Sequence, residues 1–287
     1  MAGDLRDLLQ RALGSDLHVG EQEADNGTWR SFHARDTRLD VDDTVKALAP
    51  EIAADVDAAR FWRNIRGAAA VEHRNLVPIV GAGEAEGIPY FVSRRVAGDS
   101  LRDLVAAYGP RAEDECRDLV RVLCQVLGPA HARGIIHGGI TPETIIAARE
   151  GPMVTDLGVF PALMRSRRDG IALPAASGEL PPLMPHDSLL YLAPELLTAD
   201  PQFTPRTDIY ALGAVLFALL TGTPPHGEND QSVGALVWPE SYRFRYVSSE
   251  FTRLVTRCLA REPAERMETM DDVRAALDVR DERYVVG

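Results

Sequence analysis

The residues from His137 to Ile145 read His-Gly-Gly-Ile-Thr-Pro-Glu-Thr-Ile and gather one imidazole, two hydroxyls and one carboxylate around two adjacent glycines. Glycines supply no acid, base or cation, and threonines supply only hydroxyls. His137 reads as a core histidine bonded through the backbone rather than as an acid–base group. Further on, Asp156 in Asp156-Leu157-Gly158 is a lone carboxylate that suits a buried turn. Ser166 stands among Arg165, Arg167 and Arg168 in what reads as a disordered basic loop; the alternative is that a phosphate added to Ser166 would be clasped by the guanidinium groups. Cys116, Cys124 and Cys258 show no metal-binding spacing and read as small core residues of a reducing compartment.

Stepping outward, 287 residues with 45% hydrophobic side chains suffice for one large domain or two lobes. A net charge of −12 argues against a general binder of nucleic acid or anionic membrane, both of which need basic surfaces. No run reaches the roughly 18 apolar residues of a membrane helix, and the N-terminus is no signal peptide. The expected location is the cytoplasm, with any membrane segment confined to a longer parent beyond Gly287.

Residues 1–16 form an amphipathic helix, with Leu5, Leu8, Leu9 and Leu13 at helical spacing. Residues 17–48 read as short strands turning at Asp25-Asn26-Gly27, residues 51–72 as one or two helices, and Leu76–Val80 and Tyr90–Val96 as strands divided at Glu86-Gly87. Helical patterning starts at Ser100. Residues 144–157 return to strands, and Phe160–Ser188, with five prolines, reads as a long surface segment. Thr207 and Asp208 cap an apolar run from Ile209 to Leu220 that must be buried all round. Two helices, around Phe251–Leu259 and Met270–Leu277, close the chain.

This order of elements, with its motifs, resembles the bacterial serine/threonine protein kinases of the eukaryotic type. The likeness rests on Ala130–His137 for the run into the HRD loop, Tyr191–Glu195 for the APE region, Asp208–Gly213 with Thr221–Pro225 for the central helix, and Cys258-Leu259, Pro263 and Arg266 for the closing motif. It implies an α+β, two-lobed fold. A small antiparallel-sheet lobe with one main helix would span 17–98, and a larger, mainly helical lobe 99–287 with an activation-segment-like region at 156–195. The resemblance also implies that Asp208 receives backbone N–H groups from the catalytic loop and that Glu195 pairs with Arg266.

Position by position, the same resemblance implies a depleted site. Ala24, Asn26 and Trp29 stand at the three loop glycines, and Glu21, Glu23 and Asp25 add charge that repels phosphate. Lys46 is the phosphate lysine, but Asn64 replaces its glutamate partner. Ser31 and Thr44 lie above the adenine position and Ile146 below it, with Ser93, Arg94 and Arg95 between the lobes. Gly138 stands at the loop arginine, Gly139 at the base aspartate, Thr141 at the lysine and Thr144 at the metal-binding asparagine. Lys46, Ser93, Arg95 and Ile146 are then remnants of a nucleotide site, and Asp156 a remnant metal ligand. The expectation is a catalytically inactive pseudokinase that acts as a regulatory or scaffolding module, with no resident cofactor and weak ATP/Mg²⁺ binding. Its partners would be proteins, an active kinase or another signalling protein, with homodimer formation by analogy. The alternatives are a nucleotide-binding switch without phosphotransfer and an atypical, low-activity serine/threonine kinase drawing its base from Asp156 or Glu143.

Overall fold

The computed structural model describes residues 2–168, 186–198, 200–225, 238 and 247–278. Strands β1 (Leu17–Asp25), β2 (Trp29–Asp36), β3 (Val41–Leu48), β4 (Ile79–Ala85) and β5 (Ile88–Arg94) form one antiparallel sheet in the order β1-β2-β3-β5-β4. Side chains alternate across the pleat. Phe32, Ala34, Val45 and Val92 therefore face one side, where they form a small core with Leu5 and Leu9 of α1 (Ala2–Leu13). Ser31, Thr44 and Lys46 occupy the intervening positions. β4 starts three residues later than the Leu76–Val80 pattern suggests. Leu76 and Val77 are buried instead in an extended link, where Leu76 bridges Val154.

After the short α2 (Pro50–Ala53), α3 (Ala58–Ala69) packs beneath the sheet through Phe61, Ile65 and Ala68; Asp57 caps it by accepting the Arg60 N–H. The rest is mainly helical. Ser100 caps α4 (Leu101–Tyr108), and α5 (Glu113–His131) runs through the body with Leu119, Val120, Leu123 and Leu127 buried. A small sheet of β6 (Gly98–Ser100), β7 (Ile145–Ala148) and β8 (Gly151–Val154) lies at the seam. Next come α6 (Val159–Arg165), α7 (His186–Leu189), α8 (Pro205–Thr221), α9 (Ser249–Cys258) and α10 (Met270–Asp278).

α8 is buried from Thr207 to Leu220 on every face. Its capping box is formed by Thr204 with Thr207, so the helix starts earlier than the expected Thr207-Asp208 cap. Gly213 is there for space, since a Cβ would lie 2.6 Å from Cys258 Cβ on α9. All three cysteines are buried, and burial pushes each thiol up to about 12. They are core residues, and their thiols stay protonated.

The expected surface segment from Phe160 to Ser188 needs correcting at its start. Residues 159–165 form α6, and Val159 to Met164 are buried against α3. Pro161 marks no loop, because in the first turn of a helix its missing N–H breaks no bond. Residues 169–185 of that segment lie outside the described residues. Among the described residues, no helix is long and apolar enough to cross a membrane.

Candidate phosphotransfer cleft

The cleft is built where β3 of the sheet faces the link after β8. Lys46 Nζ donates to Asp156 Oδ2 at 2.6 Å, with both side chains about one-fifth exposed, at 22% and 18%. The lysine therefore does have an ionic partner, contrary to the expectation that replacing the helix glutamate by Asn64 leaves it unanchored. Asp156 adopts φ +62°, a left-handed conformation uncommon for a residue other than glycine, and its Oδ1 is buried without a hydrogen-bond partner. Asp156 Oδ1 and Glu143 Oε2 are the carboxylate oxygens left buried without a partner among the described residues.

Asn64 has turned elsewhere. Its Nδ2 donates to Ser166 Oγ at 3.0 Å, and Ser166 Oγ donates in turn to Ala162 O at 2.6 Å. The Asp57 N–H donates to Ser166 O, and the Arg168 N–H to Asp55 O, so the end of α6 is stitched to the start of α3. Ser166 is fully buried, which corrects its reading as an accessible phosphate acceptor in a basic loop. The apolar face of α6 draws it inside despite the arginines on either side. What ties α3 to the sheet is aromatic: Trp29 on β2 packs 5.9 Å from Phe61 of α3 and 5.2 Å from Phe91 of β5.

The β1–β2 turn is satisfied internally. Asp25 Oδ1 accepts the Gly27 N–H, and Asn26 Oδ1 accepts those of Thr28 and Trp29. A phosphate could not use these N–H groups without displacing the side chains. At the link between the sheet and the helical body, Ser93 is buried opposite Thr44. Arg94 turns to the back of the sheet and binds both oxygens of Asp43, at 2.8 and 3.0 Å. Burial still raises the Asp43 pKa, and Arg94 only partly offsets it. Arg95 reaches Glu23 of β1 at 2.5 Å. Ile146 sits half-buried on β7, paired with Met153 and Ser100.

In the loop below, Thr141 and Thr144 are occupied with each other. The Thr141 N–H donates to Thr144 Oγ1, and Thr144 Oγ1 donates to Thr141 O, both at 3.0 Å. Glu143 accepts from Arg102 of α4 at 2.6 Å. His137 donates from Nε2 to Thr155 O at 2.9 Å and accepts the Gly139 N–H on Nδ1. Burial lowers its pKa, so it is a neutral structural group. Gly138 is at φ +71°, and a Cβ there would come within 2.5 Å of Pro161 Cγ. No arginine fits at that position in this arrangement.

Beneath the loop, Asp208 is fully buried and accepts the N–H groups of His137 at 2.9 Å and Gly138 at 2.7 Å. His131 Nε2 lies 2.8 Å from its Oδ2. Sequence reasoning placed His131 in the motif run but assigned it no role; its position on the last turn of α5 was the available signal. Arg266 grips Glu195 through two nitrogens at 2.7 and 2.8 Å and also donates to the carbonyls of Ala260, Arg261 and Arg206.

An antiparallel sheet over a helical body, with a lysine and an aspartate meeting across the seam, defines a two-lobed kinase architecture. The family profile described as "Protein kinase domain" matches residues 32–277, and the chain belongs to that family. It is 34% identical over 92% of its length to serine/threonine-protein kinase PknB of Mycobacterium tuberculosis, and 33% identical over 92% to PknB of Mycolicibacterium smegmatis. A probable serine/threonine-protein kinase of Streptomyces coelicolor is 27% identical over 93% of the chain. The match covers 43% of each PknB and 40% of the Streptomyces protein, so the chain spans about two-fifths of the length of these relatives. Relatives named as kinases, at 33–34% identity over most of the chain, overturn the expectation of a non-enzyme.

Proposed function

We propose that the chain is a slow, atypical serine/threonine kinase domain. The observation that carries this is the Lys46–Asp156 pair, at 2.6 Å across the seam. Phosphoryl transfer passes through a loose transition state, and its catalysis is mostly positioning and electrostatics. Loss of a positioned base therefore slows the reaction by about 10²–10⁴-fold without forbidding it. In this reading Lys46 would hold the α- and β-phosphates of ATP, Asp156 would hold one Mg²⁺ that offsets phosphate charge, and Gly139 leaves the substrate hydroxyl to lose its proton to solvent. Thr144 contributes no metal ligand, because its hydroxyl serves the turn. Metal and nucleotide affinity are correspondingly weak. We take the lobes to be 17–98 and 99–287, with this cleft between them, and propose proteins of the cytoplasm as substrates and partners.

Thermal unfolding with ATP, with and without Mg²⁺, tests the site. Ligand at 100 times its dissociation constant adds about 2.7 kcal/mol. The expected result is a stabilisation at millimolar ATP that needs Mg²⁺ and disappears in Lys46→Met. No shift at millimolar ATP, or an equal shift in Lys46→Met, overturns the reading. A shift without any phosphate transfer to a serine/threonine peptide replaces it with a nucleotide-binding switch.

A further inference from the structure

α3 has two faces with different occupations. Its inner face carries Phe61, Ile65 and Ala68 in the core, and Asn64 holds Ser166. On its outer face, at intervals of three residues, stand Arg60, Arg63 and Arg66, all exposed, with Trp62 beside them at 38% exposure. Among the described residues, none of these three arginines has a carboxylate within ion-pair distance. Elsewhere in the sheet lobe Arg11, Arg30, Arg35, Arg38, Arg94 and Arg95 each meet an aspartate or glutamate, while Arg6 and Arg74 are single exceptions that form no row. In a chain of net charge −12, where acids are plentiful, α3 presents a row of cations without partners of its own. Arginine and tryptophan are also the residues most enriched at the energetic centres of protein interfaces.

We infer that the outer face of α3 is a docking surface for an acidic, glutamate- or aspartate-rich segment of a partner protein. Charge complementarity selects the partner, because the row offers forked donors to carboxylates and the flat indole offers apolar contact. The position of the row gives docking a consequence. The same helix carries Asn64 to Ser166 and is held to the sheet beside Lys46, so a partner on its outer face grips the element that borders the cleft. This inference needs no phosphotransfer and stands or falls by binding alone.

The test is fluorescence anisotropy of the whole chain with a short fluorescein-labelled, glutamate-rich peptide containing one leucine. Its glutamine-substituted twin, a phosphoserine version and phosphatidylserine vesicles are run beside it. The expected result is binding of the glutamate peptide that weakens as salt is raised through the physiological range. Binding should fall by about five- to thirtyfold in R60Q/R63Q/R66Q, the equivalent of about 1–2 kcal/mol for three exposed pairs. It should stay unchanged in R133Q/R149Q/R257Q, which removes exposed arginines from other surfaces. Unfolding midpoints equal to the parent's establish that both triple variants fold. Equal loss in both variants, equal binding of the glutamine twin, or preference for phosphoserine or for vesicles would overturn the inference.

Discussion

Two polar constellations lie within a few residues of each other and have been treated differently. Below the loop, Asp208, His137 and Arg266 are buried, Glu195 is mostly covered, and each finds its partners within the chain. In the cleft, side chains that would face a ligand have turned to one another: Lys46 to Asp156, Asn64 to Ser166 and Thr144 to Thr141. Exposure does not separate the two sets, since Glu195 and Asp156 are each 18% exposed and Ser166 and Thr141 are as buried as Asp208. The number of bonds does: among the described residues Asp208 accepts two backbone N–H groups and Arg266 makes five hydrogen bonds, whereas Lys46 and Asn64 each make one. Framework and chemistry are thus separable here. Relatives that share both the family and the name of kinase show that the architecture has been kept; a slowed activity is the reading proposed above.

The largest expected effect falls on the framework. Asp208→Ala leaves two buried N–H groups and His131 without their acceptor and should cost about 3–5 kcal/mol in urea unfolding. A loss below about 1 kcal/mol would erase the contrast. Next is Gly138→Arg, which combines left-handed strain with overlap on Pro161. It should cost about 2–4 kcal/mol, and its failure to destabilise would mean that the loop can open for a phosphate-sensing arginine.

The pH dependence sharpens the same comparison. Burial holds the folded His137 pKa below its ordinary value of 6.5, so below that pH the unfolded state binds more protons. Stability should be insensitive to this group above about pH 6.5 and fall as pH drops below it, until the lowered folded value is passed. A flat unfolding midpoint from pH 7 to pH 5 would contradict a neutral buried imidazole. Thr144→Ala should cost only about 1 kcal/mol, as for other capping residues, and leave ATP binding unchanged; weaker Mg²⁺-dependent binding would make Thr144 a ligand after all. Smallest is Glu23→Gln. It releases Arg95 from a surface pair worth about 0–1 kcal/mol and should shift unfolding by no more than that.

How much could be read in advance follows the same line. Asp208, Glu195, Arg266 and the glycine positions were legible because they sit in short strings whose residue types dictate local geometry. The turn at Asp25-Asn26-Gly27 was equally local. The pairing of Asn64 with Ser166 spans 102 residues, and that of Lys46 with Asp156 spans 110. Neither follows from spacing, because the first depends on how α6 settles on α3 and the second on how β3 meets the link after β8. Pro161 misled for a local reason, since proline reads as a breaker while suiting the first turn of a helix. Trp29 was legible as a departure from glycine, but its place between Phe61 and Phe91 was not, because strand register decides which way an indole points.

The central claim is that Lys46 and Asp156 still support slow phosphotransfer above an intact framework. Single-turnover transfer of labelled γ-phosphate to a serine/threonine peptide, in the parent and in Asp156→Asn, tests it most directly. The account predicts a slow, Mg²⁺-dependent incorporation in the parent that is lost in Asp156→Asn, while far-UV circular dichroism shows that the variant is still folded. Equal incorporation in both proteins, or none in either, would contradict it.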